Sequence, residues 1–227
     1  GEAIQAEGAA APAPARATAG PHEFDPTPNL TQQFDGLRDH LAAKNPVETA
    51  VEAARAVKAS ANDALKSGDA AAATQRYKKA LDILDDVFLR ARQLLIGGEV
   101  LRHDAARETP LRRAARDVFL LEAECWLNLG QARLAAGDAA GALKACETYF
   151  DLKDAPPSPA RSAKAHFRAA TALERLGRLY EAEEALVKAR EHAPDDRGIL
   201  RARQRVRAAR EAKKAGVAKA SFKGVFA

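Results

Sequence analysis

The sequence predicts an all-α chain of three helix pairs closed by a long C-terminal helix, and three observations carry that expectation. One pattern of small residues recurs in three separate stretches; each stretch breaks at a glycine; and no run of alternating β-branched residues, the mark of a strand, occurs anywhere. Composition agrees. Aromatics make up only 5% and alanine is abundant, as suits helices that approach closely through small side chains, while 30% charged residues leave ample polar surface.

The chain opens on residues 1–29, an Ala/Pro-rich tail without periodicity that is expected to be disordered. Residues 30–196 hold a first helix and the three repeats. In LTQQFDGLRDHLAAK, Phe34, Leu37 and Leu41 share one helical face and should pack beside the first repeat. Asn45-Pro46 then fits a helix cap and first position. The first repeat, about 47–96, carries small Ala61, a Gly68-Asp69 turn, then Ala73, Tyr77 and Ala80, and LDILDDVFLRARQLLI prolongs its second helix to Ile96. Gly97 to Pro110 reads as the connecting loop.

The second repeat, about 111–152, starts with LRRAARDVFLLEAECWL well before Trp126 and continues through Leu129, Gly130, the turn Gly137-Asp138, Ala142 and Cys146. KDAPPSPA follows, with three prolines that forbid helix. The third repeat, about 159–194, repeats the register in Ala170, Gly177, Ala182, Leu186 and Ala189 and stops at Pro194. Residues 197–227 read as one basic capping helix and tail, with Ile199, Leu200 and Val206 as its apolar face. In each repeat the small residue lets two helices approach, and glycine supplies the left-handed cap of a tight helical hairpin.

This register resembles the tetratricopeptide (TPR) repeat, whose period is about 34 residues. The resemblance implies a right-handed superhelix of three TPR helix pairs, with the long C-terminal helix covering the last repeat's apolar face. The step from Ala54 to Ala123 is about twice that period. Lengthened helices around the first repeat, followed by a regular third, are similar to the TPR domains of the large immunophilins, the forty-kilodalton cyclophilin and the FK506-binding proteins. The ending Phe222-Lys223-Gly224-Val225-Phe226-Ala227 resembles theirs as well. Those proteins place a prolyl isomerase ahead of the TPR domain. The chain contains no methionine, so its N-terminus is expected to have been processed or trimmed, and nothing in residues 1–45 reads as a β-rich catalytic remnant. No catalysis is expected within this chain.

Five polar residues stand at matched positions on the first helices of the repeats. Lys58 and Asn62 lie four residues apart and share a face; with the registers counted from Ala123 and Ala163, Asn128 is sixth in the second repeat and Lys164 and Arg168 are second and sixth in the third. A lone Lys or Arg on a helix is most often a solvated side chain, but an Asn inside a helix competes with the backbone and calls for a reason. First helices line the concave face of a TPR stack, so the resemblance implies a two-carboxylate clamp. Lys58, Asn62 and Asn128 would hold a peptide's terminal carboxylate, and Lys164 with Arg168 its last residues. The implied partner is the Glu-Glu-Val-Asp ending of heat shock protein 90 or 70, captured by charge-assisted hydrogen bonds that require a chain end.

Other chemistries find little support. Cys125 and Cys146 read as reduced core residues, and two isolated cysteines make no zinc site. The five histidines, His22, His40, His103, His166 and His192, have no metal-ligand spacing, although His166 stands beside the clamp positions and is a candidate peptide contact. Asp82, Asp85 and Asp86 read as a solvated helix face, and Gly97-Gly98 lacks the Lys-Ser/Thr of a phosphate loop. No cofactor is expected. The net charge of +5 concentrates in the C-terminal helix, on Arg197, Arg201, Arg203, Arg205, Arg207, Arg210, Lys213 and Lys214. That helix reads either as a solvated cap or as a calmodulin target, and without aromatic stacking platforms specific nucleic-acid binding is not expected. No secretory signal or membrane span is visible, and reduced cysteines together with the implied partner point to the cytoplasm. Two alternatives remain: a structural scaffold binding an internal segment of an assembly partner, and the regulatory half of a prolyl isomerase.

Overall fold

The computed structural model describes residues 45–100 and 109–225, with side chains for 45–95 and 109–216. The predicted tail and the helix around Phe34 lie outside the described residues. Among those described there are seven helices and no strand: α1 Pro46–Lys66, α2 Ala70–Val100, α3 Pro110–Ala135, α4 Ala139–Asp151, α5 Pro159–Arg175, α6 Leu179–His192 and α7 Arg197–Val225.

Each first helix of a pair starts in the same way. Asn45, Thr109 and Ser158 accept backbone N–H bonds from Val47, Arg112 and Arg161 at 3.0, 3.2 and 3.4 Å, and Pro46, Pro110 and Pro159 follow them directly. Proline suits that position because its missing N–H would have had no intrahelical partner. Of the three prolines expected to forbid helix, Pro159 therefore does the opposite: it opens α5, and only Pro156 and Pro157 lie in the connection.

Each first helix also ends in the same way. Gly68, Gly137 and Gly177 adopt φ of 87°, 83° and 73°. The amide after each glycine reaches back to Ala64, Arg133 and Leu173 carbonyls at 2.9, 2.8 and 2.9 Å, which is the Schellman closure. Asp69 and Asp138 then cap α2 and α4 by accepting from Ala72 and Gly141 amides at 2.9 and 2.8 Å. In the third pair Arg178 takes that place, makes no cap hydrogen bond and instead binds Glu181 through its side chain.

One boundary differs from expectation. α2 runs through Gly97 and Gly98 to Val100, where a loop from Gly97 was predicted. Two glycines inside a helix cost about 1 kcal/mol each relative to alanine, which disfavours but does not forbid propagation of an established helix.

Consecutive helices pack against each other throughout, and α1 also packs on α3 and α3 on α5, whereas α2–α4 and α4–α6 make no comparable contact. The first helices thus form one continuous inner face. Small residues allow the approach: a Cβ built on Gly130 would lie 3.4 Å from Cys146 Sγ and 3.5 Å from the Ala142 carbonyl. Larger side chains fill the spaces between pairs. Val47, Val51, Leu84, Val118 and Phe119 form one cluster, with Phe88 edge-on to Phe119 at 5.2 Å; Tyr77 and Leu129 anchor a second. In the third, Ile199, Ala202 and Val206 of α7 bury against the last pair. Beside them Arg205 forms a two-pronged bond to Glu174 at 2.7 and 2.7 Å, and Arg210 pairs with Glu183. Part of the basic face is thus engaged with the repeat it covers.

Candidate functional site

The inner face carries three short ladders of polar side chains, each set by helical spacing of three or four residues. α1 contributes Lys58 and Asn62, α3 Glu124 and Asn128, and α5 Arg161, Lys164 and Arg168. Where α3 meets α5, Glu124, Leu127, Asn128, Arg161, Lys164 and Arg168 enclose an open cleft of about 210 Å³.

Direct contacts join α1 to this cleft. Asn128 Nδ2 donates to Asn62 Oδ1 at 3.4 Å, and Tyr77, from the core of the first repeat, donates its hydroxyl to the same oxygen at 2.5 Å. Burial pushes the Tyr77 phenol up to about 12, so it keeps the proton it donates. Lys58 Nζ forms an ion pair with Glu124 across the α1–α3 seam. On α5, Arg168 is half-buried and its Nη1 donates to the Leu127 carbonyl at 2.7 Å. Burial lowers its pKa, yet a guanidinium remains charged. Lys164 is exposed at the rim.

The five residues singled out from sequence therefore fall in one connected region. Asn128, Lys164 and Arg168 line the cleft; Asn62 touches Asn128; Lys58 touches Glu124. Three participants were missed. Glu124 stands four residues before Asn128 and Arg161 three before Lys164, so the spacing that found their neighbours would have found them too. Arg161 is fastened by its Nη2 to the Pro156 carbonyl at 2.6 Å, and its Nε is buried without a partner. Tyr77 stands in the sequence only as a position of the repeat register, and its hydroxyl adds a contact to the groove.

His166 does not join them. Two residues from both Lys164 and Arg168, it faces the other side of α5, where its ring stacks on Phe150 at 4.2 Å and on His192 at 5.8 Å. Burial, followed by the neighbouring His192 and Lys188, lowers its pKa to about 4. A larger cleft, about 390 Å³, lies between α2 and α3 and is lined by Leu81, Asp82, Asp85, Phe88, Glu122 and Trp126 with Lys78. Cys125 and Cys146 are buried free thiols, raised by burial to about 12 and about 11. Among the described residues no three metal-ligating side chains cluster, and no helix is long and apolar enough to cross a membrane.

No family model matches the chain. Its fold is similar to that of the C-terminal TPR-containing domain of a Plasmodium falciparum FK506-binding protein. That domain is 20% identical, with a TM-score of 0.52, over 76% of this chain and 98% of the domain. It is also similar to the first TPR domain of human RPAP3, 18% identical with a TM-score of 0.50, over 71% of this chain and 95% of that one. At such identities the likeness speaks to fold alone. The chain has the TPR fold: an all-α, right-handed superhelix of three helix pairs and a closing helix.

Proposed function

We propose that this chain is a TPR adaptor of the co-chaperone kind, whose inner groove captures the acidic C-terminal end of a partner protein. The observation that carries the reading is the gathering of Asn128, Lys164 and Arg168 around one cleft, with Asn62 bonded to Asn128 at its edge. Cations and amide donors in that arrangement suit a chain end carrying two carboxylates, since charge-assisted bonds are roughly twice as strong as neutral ones. The Glu-Glu-Val-Asp ending of heat shock protein 90 or 70 has that chemistry, and a cytoplasmic location would follow from it. The groove binds and offers no catalytic group; a prolyl isomerase function would have to reside outside this chain.

Titration calorimetry with a Met-Glu-Glu-Val-Asp peptide as free acid and as C-terminal amide tests the reading. The acid should bind and the amide bind much more weakly, and Lys164→Ala and Asn128→Ala should each weaken the acid, the former about tenfold or more, as expected for loss of a charged hydrogen bond. Equal binding of acid and amide, with indifference to both substitutions, would defeat the clamp and favour a scaffold that holds an internal segment. The basic α7 is proposed as a cap rather than a calmodulin target, because calmodulin would have to break the Arg205–Glu174 and Arg210–Glu183 contacts.

A further inference from the structure

The groove contains a carboxylate of its own. Glu124 lines the same cleft as Asn128, Lys164 and Arg168, and its Oε2 is paired with Lys58 Nζ. The two residues lie 66 positions apart in sequence and meet only because α1 packs on α3. Both are sheltered, with side chains 19% and 34% exposed, so the pair is screened less than one on open surface. Lys164 presents the contrast: its ammonium is exposed and no described residue pairs with it.

We propose that Glu124 is the specificity-determining residue of the groove: an internal competitor that neutralises Lys58 and so sets how strongly the groove prefers a chain end with a free carboxylate. The inference rests on the adaptor reading above. A ligand carboxylate arriving at the Lys58 end either displaces the Glu124 carboxylate or shares the ammonium with it against carboxylate–carboxylate repulsion. Either way the ligand gains less than a full ion pair. A ligand without that carboxylate leaves the Lys58–Glu124 pair intact and does not bury an unpaired ammonium. Specificity is a difference of affinities. Glu124 therefore weakens acid-ended ligands, spares neutral-ended ones and widens the range of chain ends that the groove accepts. Removing its charge should sharpen the selection.

The test is a double-mutant cycle on the 227-residue chain, again read by calorimetry with the free-acid and amide forms of Met-Glu-Glu-Val-Asp. Glu124→Gln should bind the acid about three- to tenfold more tightly than wild type, with no gain for the amide. In a Lys58→Ala background the same substitution should give no gain. Glu124→Ala, with matched far-ultraviolet helicity, serves as a second variant should the amide of Gln make a bond of its own. An unchanged acid affinity in both Glu124 variants, while wild type still prefers acid to amide, would overturn this inference and leave the adaptor reading standing. A gain that persists undiminished in the Lys58→Ala background would also overturn it, because the effect would then come from net charge. No acid preference in either wild type or Glu124→Gln would remove the adaptor reading and this inference with it.

Discussion

Tyr77, wholly buried, donates its hydroxyl to Asn62 Oδ1 at 2.5 Å, and the same oxygen accepts from Asn128 Nδ2 at 3.4 Å. The core of the first repeat thereby orients a side chain of the inner face. With its oxygen engaged twice within the protein, Asn62 has its NH₂ donors left for a ligand, which suits an anion.

Tyr77→Phe should therefore act twice. Loss of the hydroxyl should lower stability by about 1 kcal/mol in urea unfolding, the usual net worth of one hydrogen bond. The acid peptide should also bind several-fold more weakly, because Asn62 loses the bond that fixes its rotamer. Unchanged peptide affinity would show that packing alone positions Asn62.

Two glycines should respond in different ways. Gly137 sits at φ 83° with open space around a built Cβ, so Gly137→Ala should cost about 1 kcal/mol from backbone strain alone. Gly130 is helical and crowded. A single methyl there meets Cys146 Sγ at 3.4 Å, at the edge of ordinary contact, and Gly130→Ala should be close to neutral. Gly130→Val overfills the α3–α4 seam and should cost about 1–3 kcal/mol. Thermal unfolding of the three variants checks the order, and a Gly130→Val protein as stable as the parent would contradict the close approach.

The two thiols should be inert while the chain is folded. Cys125 and Cys146 are buried, with pKa values raised to about 12 and about 11, so at about pH 8 neither supplies appreciable thiolate. Dithionitrobenzoate should release almost no colour from native protein and two equivalents in denaturant. Rapid labelling of native protein would mean that the α3–α4 pair opens readily.

His166 should make stability depend on pH. Its folded pKa, about 4, lies below the ordinary 6.5, so the folded chain favours the neutral ring between Phe150, His192 and Lys188. That contribution is fully present above about pH 6.5 and is lost as pH falls toward about 4, because the unfolded chain binds the proton first. Melting temperature should decline over that window, and His166→Phe, which keeps a stacked ring without the titration, should flatten the decline. An equal slope in both proteins would assign the effect to other groups.

Much of the fold was legible because its punctuation is local. Gly68-Asp69 and Gly137-Asp138 end one helix and cap the next within two residues, and Ala61, Gly130 and Ala170 mark where helices approach. The end of α2 was harder. Gly97-Gly98 looks like a stop, but an established helix continues through it to Val100. Pro159 shows the converse, since proline breaks a helix only when it is not the first residue. In the groove the Lys and Asn positions followed from spacing, whereas the Lys58–Glu124 pair depends on how α1 docks on α3. Neither residue's neighbours in sequence announce it. His166 was misplaced by nearness along the chain: two residues on a helix turn a side chain to the opposite face.

The inner helices α1, α3 and α5 pack in series, whereas α2 and α4 reach the next pair chiefly through α3 and α5. Because each pair contacts only its neighbours, small rotations at the seams between pairs add up to a change of curvature along the stack. Such a change would move Lys58, Asn128 and Arg168, which sit on three different helices, relative to one another, so the fit of the proposed tail would depend on the curvature of the stack.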